Sequence, residues 1–233
     1  MVPLRYAPPT DPSCVPPCVY QFRVVVQGVS PLIWRRLLVR SDMSLATLHA
    51  TLQIVFAWSD VPLHGFRIHG REYGSARLGG SSFDVDARHV PLVVPRLHRG
   101  ERFSDIYNFI DHGECDLRLE AILPLDPRRI YPVGTGGKRA APPEACGGAW
   151  AYLQMVDRHP VPLEAMTVVA RALDRLLEAD DHPRIRQVIG DAEIFREAVA
   201  QLDAYRQFQP ERFARRDVNA QLCALVQQEG TGP

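Results

Sequence analysis

Phe22, Val24 and Val26 alternate with Arg23 and Gln27 along Tyr20 to Gln27, the two-residue period of a strand with one apolar face. Turn residues follow from Gly28 to Pro31. Trp34, Leu37, Leu38 and Val39 then mark a second strand over Ile33 to Val39, so the two predict a hairpin. Next the period changes. Leu45, Leu48, Leu52, Val55 and Phe56 recur at helical spacing, and Ser44 stands where its hydroxyl can accept from an early backbone N–H. A helix is predicted from there to Ala57. Hairpin then helix is a β-grasp-like opening for an α+β fold.

Phe66 to His69 and Glu72 to Gly74 predict a small hairpin around Gly70 and Arg71, and Gly79 to Ser82 a loop. Val90 to Val94 is strand or irregular. Phe103 to Ile110 and Cys115 to Leu123 predict longer strands joined through Asp111, His112 and Gly113. Pro124 to Gly148 is rich in Pro and Gly and reads as loop. Helical patterns then take over at Trp150 to Val156, Leu163 to Glu178, Ile185 to Ile189, Ile194 to Tyr205 and Val218 to Gln228. In the second of these, Val168, Val169, Leu173, Leu176 and Leu177 form the apolar stripe. The expected organisation is a flexible, proline-rich tail over 1–18, an α+β core with a mixed or antiparallel sheet over 19–160, and a helical segment over 161–233 packed on that core.

Composition adds bounds. Hydrophobic residues are 46% and charged residues 23% of 233, ordinary for a chain that buries a core. No apolar run reaches the roughly 18 residues that span a bilayer. Met1 to Pro17 has none of the parts of a secretory signal, so the expected address is cytoplasmic, away from membranes. The five cysteines are odd in number and scattered; Cys14 and Cys18 are a lone C-x3-C pair, and free thiols are expected rather than a metal. Formal net charge is zero, so the global basic signature of a nucleic-acid binder is absent.

Several local signatures stand in one order. Pro31-Leu-Ile-Trp-Arg-Arg36 precedes Leu45-Ala-Thr-Leu-His-Ala-Thr-Leu-Gln53, then Phe56-Ala-Trp58 and Leu63-His-Gly-Phe66. Later come Tyr131-Pro132, Gly137-Lys-Arg-Ala140, Pro142-Pro-Glu144, Cys146-Gly-Gly148, Trp150 and Tyr152, and near the end Phe208, Pro210, Phe213 and Val218-Asn219. Over 19–222 this resembles the Ri-plasmid open-reading-frame-three-like family, often labelled TnpR-like passenger proteins of insertion sequences. The resemblance implies an α+β domain of unknown activity from plasmids and mobile elements. The chain departs from the family's Tyr-Asp-Phe-Gly-Asp and Trp-x-His strand motif: Tyr107, Phe109 and Asp111 fit, while Ile110, Gly113 and Cys115 replace Gly, Trp and His. Where many relatives carry loop cysteines it has Gly134 and Ala141.

Candidate chemistry is dispersed. Arg35 and Arg36, consecutive in a strand, point to opposite faces, so one can meet an anionic partner while the other pairs internally. His49 lies on or beside the apolar helix face; with His64 and Asp111 it would complete a metal site only if the three converge. Asp111, His112, Glu114 and Cys115 crowd one turn, which fits a Cys–His nucleophile or plain turn polarity. Gly134-Thr-Gly-Gly-Lys138 lacks the first Gly and the final Ser/Thr of a phosphate loop. Its glycines with Lys138 and Arg139 remain a candidate anion holder. Arg212, Arg215 and Arg216 are a small basic cluster.

These features favour a non-catalytic accessory or interaction protein of mobile DNA, without a cofactor, whose partner is a protein or DNA. One alternative is a DNA-binding regulator that gathers Arg35, Arg36, Lys138, Arg139 and Arg212 to Arg216 on one face. The other is a metal-dependent hydrolase built on His49, His64 and Asp111.

Overall fold

The structure is a computed structural model that describes residues 16–58, 64–74, 83, 85–107, 113–144, 146–158, 161–178 and 192–229. Most of the expected tail, the Gly79–Ser82 loop, Asp111, His112 and the helix expected at Ile185–Ile189 lie outside the described residues.

The hairpin is β1 (Val19–Val26) and β2 (Trp34–Arg40), followed by α1 (Leu45–Phe56). Next come β3 (His64–Ile68), β4 (Arg71–Gly74), β5 (Val85–Asp86), β6 (Arg102–Tyr107), β7 (Gly113–Leu123) and β8 (Val133–Lys138). The helices α2 (Gly148–Asp157), α3 (Leu163–Glu178), α4 (Ala192–Gln207) and α5 (Arg215–Glu229) complete the chain. All eight strands join one mixed sheet in the order β5-β4-β3-β6-β7-β1-β2-β8. Its pairs are antiparallel except β4 with β5. The β-grasp likeness stops at the opening hairpin and helix. Both neighbours of β1 are antiparallel to it, and β3, the strand after α1, is separated from β1 by β6 and β7.

The expected helix start holds in detail. Ser44 accepts from the Thr47 N–H at 3.0 Å, and Ala57 ends α1 in the left-handed region at φ 57°, where its N–H reaches the Gln53 and Ile54 carbonyls. One face of α1 meets the sheet. Phe22, Leu37, Leu48, Leu52, Phe66 and Leu117 are each at most 1% exposed there. Burial of each such side chain stabilises by about 1.5–3 kcal/mol against the exposed state.

β8 lies inside the stretch that reads as loop. Its sequence, Val133-Gly-Thr-Gly-Gly-Lys138, has three glycines and no alternating pattern, so nothing in its side chains announces a strand. The glycines instead admit neighbours. A Cβ on Gly137 would come within 2.5 Å of the Phe213 ring, and one on Gly136 within 3.4 Å of Trp34. On the far side of β8, Asn219 of α5 takes the place of a further strand. Gly134 donates its N–H to Asn219 Oδ1 at 2.8 Å, and Asn219 Nδ2 donates to the Gly134 carbonyl at 3.0 Å. That pair caps an otherwise open sheet edge.

The chain clusters into two compact units, Met1–Leu153 with Glu211–Pro233, and Gln154–Pro210. The first holds the sheet, α1 and α5. In the second, α3 and α4 pack together and bury the small residues Ala165, Ala172 and Ala198. The stripe expected to be buried on α3 is instead open in part: Leu173 is 53% and Leu177 84% exposed. No helix among the described residues is long and apolar enough to cross a membrane.

Candidate functional site

Strand alternation decides the fate of the two consecutive arginines. Arg36 faces away from α1 and is bidentate with Glu120, Nε to Oε2 at 2.6 Å and Nη2 to Oε1 at 3.0 Å. That hydrogen bonding raises the Arg36 pKa and holds the Glu120 carboxyl below the usual glutamate range.

Arg35 faces α1 and is only 2% exposed. Its Nε donates to the Val55 carbonyl at 2.8 Å, and its Nη1 to the carbonyls of Trp34 at 2.9 Å and Lys138 at 3.1 Å. Val55 is in the last turn of α1, where carbonyls lack an intrahelical partner and the helix dipole favours a cation. The guanidinium carbon also lies 4.1 Å from the Phe213 ring centroid and 5.0 Å from that of Phe56. Among the described residues no carboxylate pairs with Arg35, and its Nη2 has no hydrogen-bond partner. Burial lowers its pKa to about 10, which leaves it charged at neutral pH.

The guanidinium lines a cleft of about 280 Å³. Its walls are the C-terminal end of α1, the segment from Ala140 to Pro143, and the residues that lead into α5. Ile54, Ala57, Ala141, Pro142 and Val218 make the lining largely apolar, while Arg212 and Asp217 add one charge of each sign. The segment after β8 is pinned by two bonds to its backbone. Trp58 Nε1 donates to the Pro142 carbonyl at 3.0 Å, and the Tyr152 hydroxyl to the Ala140 carbonyl at 3.4 Å. Arg139 anchors its start by donating to the Pro31 carbonyl at 3.1 Å and pairing with Glu211.

A second polar group is sealed in the core. His49 Nε2 and Gln53 Nε2 are 3.0 Å apart along α1, and His49 Nδ1 lies 3.4 Å from Asp105 Oδ1 without hydrogen-bond alignment. Asp105 is 0% exposed, and neither of its oxygens has a hydrogen-bond partner among the described residues. Across the β6–β7 pair stands Cys115, 1% exposed, whose thiol burial pushes well above its usual pKa. The position where the family motif has histidine is therefore in the core.

Of the residues expected to form sites, Arg35 lines the cleft; Lys138 meets Arg35 only through its carbonyl, and Arg139 bonds the Pro31 carbonyl and Glu211. His49 turns into the core, His64 opens β3 opposite Tyr107, and Asp111 lies outside the described residues. Among the described residues no three His, Cys, Asp or Glu gather in a way that could hold a metal. Three readings are corrected. Cys115 is buried in the sheet and its thiol pKa is pushed up, the opposite of what a nucleophilic thiolate needs. The Gly134–Lys138 stretch is no anion-holding loop, because it pairs with β2 and Gly134 is bonded to Asn219. The single arginine face is not assembled: Arg35 and Arg36 take opposite faces, and Arg215 donates to the Thr135 carbonyl at 2.9 Å. Asp105, Phe56 and Phe213 were not legible as partners of these groups. Phe213 sits in a polar stretch with no periodic signal.

The plasmid pRiA4b ORF-3-like protein family matches residues 18–166. The chain belongs to that family. An uncharacterised protein, y4hQ of Sinorhizobium fredii, is 28% identical over 146 residues, which is 60% of this chain and 72% of the relative. A crystal structure of a protein of unknown function, MM3350 from Methanosarcina mazei Go1, is similar at a TM-score of 0.62 and 27% identity. That match covers 87% of this chain and 97% of the other. In the pRiA4b ORF-3-like fold of this chain, the matched region ends within α3, so α5 and its half of the cleft lie beyond it.

Proposed function

We propose that this chain is a non-catalytic interaction protein that works by binding, and that the cleft lined by Arg35 is its recognition site. The observation behind this is the buried guanidinium, charged and without a carboxylate partner among the described residues, in the wall of a largely apolar cleft. A buried cation is stable when backbone carbonyls and aromatic faces support it, and it gains further from an anion that completes its bonds. The ligand that fits has an apolar body and one carboxylate, either a free acid or the C-terminus of a peptide. Support for binding over catalysis comes from the lining itself, which among the described residues has one carboxylate, Asp217, and no histidine, cysteine or serine. The plasmid in the family's name is what supports the accessory role in mobile DNA expected from the sequence.

Calorimetric titration tests the reading. Apolar carboxylic acids and short peptides with a free apolar C-terminus are compared with their amides. Saturable binding of the acids, at least about tenfold weaker for the amides, is expected. Ala141→Trp fills the cleft from an accessible position and should abolish binding while the protein stays folded. Equal binding of acid and amide, or none of either, contradicts it.

A further inference from the structure

The face of the sheet turned away from α1 bears a row of like charges. In register, Arg36 of β2 is opposite Arg23 of β1, Arg23 is opposite Arg118 of β7, and Arg118 is opposite Arg102 of β6. With strands about 4.8 Å apart, four arginines stand within about 14 Å. Like charges directly opposite one another destabilise a sheet. Only the ends of the row are neutralised: Glu120 takes Arg36 at 2.6 Å and Asp116 takes Arg102 at 2.6 Å. Among the described residues, the central pair, Arg23 and Arg118, has no carboxylate within ion-pair distance, and Arg23 Nε has no hydrogen-bond partner. Arg118 is exposed, and the Arg102 side chain is 60% exposed. Trp34 shares this face, with the guanidinium carbons of Arg23 and Arg36 at 5.4 and 5.5 Å from its ring centroid. Glu114, Asp116 and Glu120 of β7 share this face, so its unpaired positive charge is the central pair, beside an aromatic ring.

We infer that this sheet face binds single-stranded nucleic acid, with the central arginines on phosphates and Trp34 with its flanking guanidiniums beside a base. Phosphates would relieve the repulsion built into the row, and a sheet surface with an aromatic and planar guanidiniums suits unpaired bases. A duplex is the poorer fit, because the row stands on the body of the sheet and, among the described residues, not on a helix or ribbon that could enter a groove. The site is distinct from the cleft of Arg35, on the other side of the sheet.

Fluorescence anisotropy of the full chain with labelled oligo-dT and oligo-U measures it. Two phosphates neutralised give a slope of about −1.4 in log affinity against log salt, or about sevenfold weaker binding at 200 mM than at 50 mM salt. Arg118→Glu, at an exposed position, should weaken binding at least about tenfold with thermal unfolding unchanged, and Arg23→Gln should weaken it as well. Arg128→Glu, in the β7–β8 connection, should leave it unchanged. Binding to both oligomers or to one alone supports the inference and names the sugar. No binding, salt-independent binding, equal binding to duplex or to an acidic phosphopeptide, or an Arg118→Glu protein that binds like the parent would overturn it.

Discussion

Arg35 shows how one side chain ties three elements. Its donors reach α1, the end of β2 and the end of β8, and Phe213 covers its far face. Arg35→Met therefore strands the Val55 and Lys138 carbonyls as well as removing a cation. We expect a loss of about 3 kcal/mol in urea unfolding, since bonds to a charged donor are worth more than neutral ones and the bereft Val55 carbonyl stays buried. Arg36, its sequence neighbour, makes its bond at the surface and behaves differently. Glu120 has its pKa lowered by Arg36, so the stability the pair adds is present above the ordinary glutamate range. It disappears as pH falls through the lowered value. Glu120→Gln should cost under about 1 kcal/mol at neutral pH and flatten the acid limb of a stability-against-pH curve. A variant with an unchanged acid limb would show that the pair adds nothing. The opposite orientation of these two arginines was legible from strand alternation alone. What each one meets was not, because Glu120 and Phe213 are far away in sequence and become neighbours only through the register of β7 and the docking of α5.

At the scale of elements, the side-chain period predicted whatever that period specifies. The β1–β2 hairpin, α1, β7 and α3 were read close to their observed ends, since each has a clean repeat or a cap. β8 was missed because its glycines are chosen for what approaches them and not for a face they present. Two substitutions check this account. Asn219→Leu removes both bonds to Gly134 and should cost about 1–2 kcal/mol, with faster amide hydrogen exchange at Gly134 than elsewhere in β8. At the C-terminal end of α1, Ala57 holds a positive φ that glycine adopts without strain. Ala57→Gly should raise stability by about 0.5–1 kcal/mol, read as a higher urea midpoint at constant slope. A lower midpoint would mean that the methyl group's place in the cleft wall matters more than the backbone.

For the whole molecule, the order of the eight strands sets apart two surfaces of opposite character. One side of the sheet is covered by α1 and leads to the largely apolar cleft with its buried cation; the other bears the row of four arginines. The α+β class and the mixed sheet followed from the sequence, and so did the family. The strand order did not, since β3 and β6 come together across a connection with no periodic signal, and neither did the cleft, whose walls come from three separate stretches. The central claim is that a carboxylate completes the bonds of Arg35. The most direct measurement is the side-chain Nε–H resonance of Arg35, followed by NMR during titration with an apolar carboxylic acid and, separately, with its amide. The account predicts a saturable shift of that resonance, together with the backbone amides of Ala140, Ala141 and Ala214, for the acid alone. An Arg35 signal that stays in place while the acid is bound, or that moves equally for the amide, would contradict it.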